Sequence, residues 1–116
     1  MEQRKHGRVQ VEYAASFSGT SLRAPGTILD LSVVGCRARC SFIVKKDDYL
    51  GVLIDVPRYE HPLYIAHAVV RWSHDHEFGM EFIQMEWVDQ QRLSELIRAH
   101  QAVRGLKIEN VDGDTR

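Results

Sequence analysis

Residues 9–17 read VQVEYAASF, and along them Val9, Val11, Tyr13, Ala15 and Phe17 alternate with Gln10, Glu12, Ala14 and Ser16. A period of two marks a strand with one face in a core and the other toward water. Working outward, Gly19 to Ser21 supplies a turn, and a second extended stretch is expected from about Leu22 to Leu31, interrupted by the Pro25-Gly26 pair. Asp30 to Gly35 breaks the pattern. In the strand that follows, Cys36, Ala38, Cys40 and Phe42 share a core face, while Arg37, Arg39 and Ser41 point toward water or ligand. Lys45 to Asp48 is a charged turn, and Tyr49 to Val56 and Leu63 to Trp72 are two more apolar runs, with Pro57 and Pro62 bounding the loop between them. His74-Asp75-His76 makes another turn before a last strand in which Phe78, Met80 and Phe82 alternate with Glu77, Gly79 and Glu81.

The period then changes. Leu93, Leu96, Ile97, His100 and Val103 recur at helical spacing, which predicts one amphipathic helix from about Trp87 to Val103. Asp89 suits the positive end of that helix, Arg104 suits the negative end, and Gly105 is placed to stop it. Residues 104–116 are expected to form a frayed polar tail. About six short strands followed by a helix predict an all-β domain: a small, closed or nearly closed antiparallel barrel with the helix covering an opening. Closure also removes exposed strand edges.

The chain has 116 residues, 44% hydrophobic and 27% charged, enough for one core and one domain, spanning 1–103. A net charge of −1 offers no broad positive field to hold a long nucleic acid. No stretch approaches the roughly 20 apolar residues of a membrane span, and no apolar run follows the charged start as in a signal peptide. A cytoplasmic protein without membrane insertion is therefore expected. Cys36 and Cys40 are the only cysteines and are expected to be free thiols.

A small anionic ligand needs only a local cluster of cations. Arg4, Lys5, His6 and Arg8 form one, with Gly7 allowing the segment to bend. Guanidinium groups bind phosphates through paired hydrogen bonds and stack on flat bases, so two of them on an N-terminal arm can wrap a nucleotide. Taken alone, the cluster also fits a solvated basic tail. A second element, Asp30-Leu31-Ser32-Val33-Val34-Gly35, sets an acid, a hydroxyl and a glycine in a short break between strands. A carboxylate accepts two hydrogen bonds from the N1 and N2 donors of guanine, an edge that adenine does not offer. Ser32 has a hydroxyl to donate to a base or phosphate, and Gly35 permits close backbone approach to a ligand. The same residues also fit a side-chain turn with a glycine at positive φ, which needs no ligand.

Together the two elements resemble the paired RxxxR and D/N-x-S-x-x-G signature of PilZ domains, bacterial receptors for the second messenger cyclic di-GMP (c-di-GMP). Both motifs are intact, and Ala68 to Phe82 (AVVRWSHDHEFGMEF) looks like the final hairpin of that family. The resemblance spans about residues 2 to 103. It implies a six-stranded antiparallel β-barrel with a helix after the last strand, in agreement with the periodicity. It also implies that Arg4 and Arg8, on a flexible arm of residues 1–8, grip guanines and phosphates of c-di-GMP, and that Asp30, Ser32 and Gly35 hold a guanine and the ligand backbone. Trp72 sits where some family members place an aromatic contact near the ligand, the alternative being a tryptophan buried in the core. Gln3 stands where a further arginine in some relatives helps hold two stacked ligand molecules. Lys5 and His6 add charge beside the phosphates and favour such an intercalated pair.

Other chemistry finds less support. Four residues apart on a strand, Cys36 and Cys40 do not form a zinc knuckle, and on a core face a thiol is inert as a nucleophile. No Gly-x-Ser-x-Gly elbow, phosphate loop or paired metal carboxylates occur. The expectation is a receptor, not an enzyme, with no metal or other cofactor. It would order its arm on binding c-di-GMP and signal to an unidentified effector protein in motility, chemotaxis, biofilm or virulence control. The alternative is a protein-interaction adaptor that acts without nucleotide. A short RNA or DNA binder is disfavoured by the net charge and by the lack of an aromatic ladder on a strand face.

Overall fold

The computed structural model describes residues 7–20 and 23–115. Six strands precede one helix: β1 (Val9–Ser18), β2 (Arg23–Leu31), β3 (Gly35–Cys40), β4 (Tyr49–Ile54), β5 (Leu63–His74), β6 (Glu77–Gln84) and α1 (Trp87–Thr115). All neighbours pair antiparallel, and the order β1-β2-β3-β6-β5-β4 closes on itself as β4 returns to β1. This is the expected six-stranded barrel with a single C-terminal helix.

The alternation in β1 largely survives: Val9, Tyr13, Ala15 and Phe17 are buried, Gln10, Glu12 and Ala14 are exposed, and Val11 is half-buried at a register shift between Gln10 and Tyr13. Inside the barrel they meet Ile28, Leu31, Ile54, Leu63, Ile65 and Phe78, all buried. Phe17 and Phe78 pack edge to face with centroids 5.3 Å apart. Leu93, Leu96 and Ile97 of α1 complete the same core, so the helix stays on the barrel by covering apolar surface. The Tyr13 hydroxyl lies 2.8 Å from Nε2 of His100 and ties α1 to β1.

Three details depart from the sequence reading. Pro25-Gly26 does not interrupt β2: the pair stays in register, opposite Ser16 and Ala15. Gly26 is what β2 needs there, because a Cβ would come within 2.4 Å of the Arg39 carbonyl and 2.6 Å of the Phe17 ring. Phe42 does not share the core face of Cys36, Ala38 and Cys40. The strand ends at Cys40 in a bend, leaving Phe42 44% exposed. Finally, the backbone of α1 continues through Gly105 to Thr115, where a stop and a frayed tail were expected. A single glycine lowers helix stability by about 1 kcal/mol relative to alanine, and no proline follows to block the next turn.

Candidate functional site

Closure of the barrel sets one transverse row of residues across its outer face. Gln10 in β1 is opposite Asp30 in β2, Asp30 is opposite Arg37 in β3, Arg37 is opposite Gly79 in β6, and Gly79 is opposite Trp72 in β5. Arg8, just before β1, reaches into this row. Its Nη1 donates to Oδ1 of Asp30 at 2.7 Å. From the other side Nε of Arg37 donates to Oδ2 of Asp30 at 3.0 Å, and Nη1 of Arg37 donates to Glu77 at 3.0 Å. Asp30 is only 8% exposed, so its charge is carried by these two arginines rather than by water. The hydrogen bond to Asp30, with that to Glu77, holds the Arg37 guanidinium above its ordinary pKa.

The turn from Asp30 to Gly35 puts its serine and glycine to inward use. Ser32 is 1% exposed. Its hydroxyl donates to the Gly35 carbonyl at 3.2 Å and accepts from the N–H groups of Val34 and Gly35 at 3.2 and 3.1 Å. The Ser32 N–H also donates to the Gly35 carbonyl, at 2.9 Å, which closes the loop on itself. Gly35 does not have positive φ. It is needed because a Cβ would lie 2.3 Å from the Met80 carbonyl, so the close approach it permits is between β3 and β6. The Val34 carbonyl accepts from the Phe82 N–H at 2.8 Å, so the turn is clamped onto β6. In this structure both residues shape the loop that presents Asp30.

Trp72 is 43% exposed rather than buried. Its indole lies flat over Gly79, where a Cβ would meet Nε1 at 2.1 Å. Arg8, Val34, Gly35, Arg71, Trp72 and Glu81 line a cleft of about 270 Å³ beside the row. Arg71 is held in the cleft wall by Nε donating to Glu81 at 2.7 Å. The structure thus brings together Arg8, Asp30, Ser32, Gly35 and Trp72, whereas Gln3, Arg4, Lys5 and His6 lie outside the described residues. Gly7 sits against the Gln101 side chain of α1.

Sequence reasoning put Arg37 on the outer face but did not assign it to the site, and it passed over Arg71, Glu77 and Glu81. Arg37 and Arg39 share an outer face of β3 and Glu77 lies on the outer face of β6, but only the register, with Arg39 opposite Glu77 and Arg37 opposite Gly79, brings them together. The thiols stay apart from this chemistry. Cys36 and Cys40 are free and buried, and burial, reinforced by the charge of Asp30 and opposed by Arg8, pushes the Cys36 thiol up to about 12. Among the described residues no cluster of three metal-ligating side chains is gathered, and no helix is long and apolar enough to cross a membrane.

The family model for the PilZ domain matches residues 2–99. Among solved structures, the Bacillus subtilis inhibitor of motility MotI/DgrA superposes with a TM-score of 0.73 at 19% identity, covering 88% of this chain and 53% of that chain. YcgR from Escherichia coli, solved in complex with c-di-GMP, superposes with a TM-score of 0.75 at 12% identity, covering 95% of this chain and 51% of that chain. The chain therefore spans about half the length of these two proteins, and at such identity the likeness is one of fold. No curated protein sequence matches.

Proposed function

The chain belongs to the PilZ domain family, whose model covers residues 2–99, and from that premise we propose that it is a receptor for c-di-GMP that acts by binding rather than by catalysis. The observation that carries this reading is the contact between the two motifs. Arg8 of RxxxR meets Asp30 of D-x-S-x-x-G at 2.7 Å on the rim of a cleft walled by Trp72. A preformed arginine–carboxylate pair beside an exposed indole offers a guanine base three things: a cation for the adjoining phosphate, an acceptor for N1 and N2, and a flat face to stack on. The likeness to YcgR, a protein solved with c-di-GMP, supports the same ligand.

Arg8 donates to Asp30, so a ligand that takes either group exchanges partners with the other. The guanidinium moves to phosphate or base, and the carboxylate turns to guanine. Arg4, four residues earlier, supplies the second cation, while Gln3, Lys5 and His6 bear on whether one ligand or an intercalated pair is held. Ordering the N-terminal arm against the barrel makes a new surface, through which an effector protein in motility, chemotaxis, biofilm or virulence control is engaged. Calorimetric titration of Arg4→Ala and Arg8→Ala tests the reading. Each variant should keep the wild-type melting temperature to within a few degrees and lose most of its c-di-GMP affinity. Wild-type affinity in both would overturn it.

A further inference from the structure

The two oxygens of Asp30 are held by arginines of unequal standing. Arg8 precedes β1 and is half-exposed, whereas Arg37 lies in β3, hydrogen-bonded to β2 on one side and β6 on the other, with its guanidinium tied also to Glu77. We infer that Arg37 is a positioning residue of the ligand site, holding Oδ2 of Asp30 so that Arg8 can leave Oδ1 for the ligand. The inference rests on the reading of the site as a receptor for c-di-GMP.

The two arginines compensate for one another. A carboxylate 8% exposed cannot be left with no partner, because removing the last cation from a buried acid leaves its charge neither hydrated nor paired. With Arg37 in place, departure of Arg8 frees one oxygen and leaves the other bonded at 3.0 Å in a fixed direction. Oδ1 then faces the guanine donors, aimed by a guanidinium that is itself fixed by Glu77 at 3.0 Å. Without Arg37, every ligand that recruits Arg8 has to strip Asp30 of its only charge partner, and the carboxylate loses its orientation. Arg37 touches no ligand in this scheme and acts through Asp30.

The test measures affinities of the whole chain for c-di-GMP and cyclic di-AMP in Arg37→Ala, Arg37→Lys and Glu77→Gln, well below each melting temperature. Arg37→Ala should bind c-di-GMP about tenfold or more weakly, the scale of a lost charged hydrogen bond. It should also lose much of the preference over cyclic di-AMP, which does not use Asp30. Arg37→Lys should recover part of both, since it keeps the charge but not the fork that bridges Asp30 and Glu77. A purely structural role would lower the melting temperature and leave the preference unchanged, and that result would overturn the inference. Should Arg37→Ala not fold, unchanged preference in both Arg37→Lys and Glu77→Gln has the same force. Wild-type chain that binds c-di-GMP while all variants match it refutes the role of Arg37 alone. Wild-type chain that does not bind refutes the receptor reading and this inference with it.

Discussion

Cys36 and Asp30 lie on adjacent strands yet on opposite faces of the barrel wall, one buried among apolar side chains and the other between guanidinium groups. The difference fixes what each can do. The Cys36 thiol, pushed from 9.0 up to about 12, stays neutral in the folded chain at pH values where the unfolded chain would ionise it. Its contribution to stability is therefore full below about pH 9 and is lost as pH rises from 9 toward 12, because the unfolded state then gives up a proton that the folded state keeps. Cys36→Ala should flatten this alkaline fall in unfolding free energy relative to the wild type, as followed by urea denaturation from pH 8 upward. An equally steep fall in both would show that the thiol does not contribute. Asp30 and Arg8 could be singled out from the sequence by residue type and spacing, and the fold joins them in an ion pair. Arg37 could not be assigned, since its partner across the barrel depends on the register of β2, β3 and β6, which no local pattern states.

At the scale of elements, the strands whose two faces differ were the legible ones. The alternation in β1 and β6 showed which side chains face the core, because a slip of one residue would turn every apolar group outward. What the sequence hid were places where backbone packing decides. Gly26 and Gly35 read as irregularities or ligand contacts, and both turn out to let strands approach one another. The backbone of α1 passes the stop expected at Gly105, because a glycine weakens a helix without terminating it. In the proposed mechanism the N-terminal segment is the element on which signalling would depend. Met1 to Gly7 contains no leucine, isoleucine, valine or aromatic residue, so little apolar burial offsets the entropy of fixing it. Charge-assisted contacts of about 1.5 to 3 kcal/mol each can exceed that cost once phosphates are present. Amide exchange at Lys5, His6 and Arg8 should thus slow on saturation with c-di-GMP, while Leu93 to Ile97 of α1, already in the core, changes less. Equal protection with and without ligand would argue against an ordering arm.

At the scale of the whole molecule, the chain carries a net charge of −1, so any affinity for an anion has to come from a local site rather than a general field. A closed barrel suits that purpose. Five of the six strands contribute one residue each to the row from Gln10 to Trp72, and closure prevents any of them from shifting register without breaking the others. In the proposed receptor the wall would supply the acceptor and the stacking surface, and the segment before β1 the exchangeable cation. On that proposal this wall reads guanine through Asp30. Parallel calorimetric titrations of the intact chain with c-di-GMP and cyclic di-AMP test it most directly. Saturable binding of c-di-GMP in the micromolar range or tighter, with far weaker binding of cyclic di-AMP, is the result expected; equal affinity for the two dinucleotides, or no binding of c-di-GMP, would contradict it.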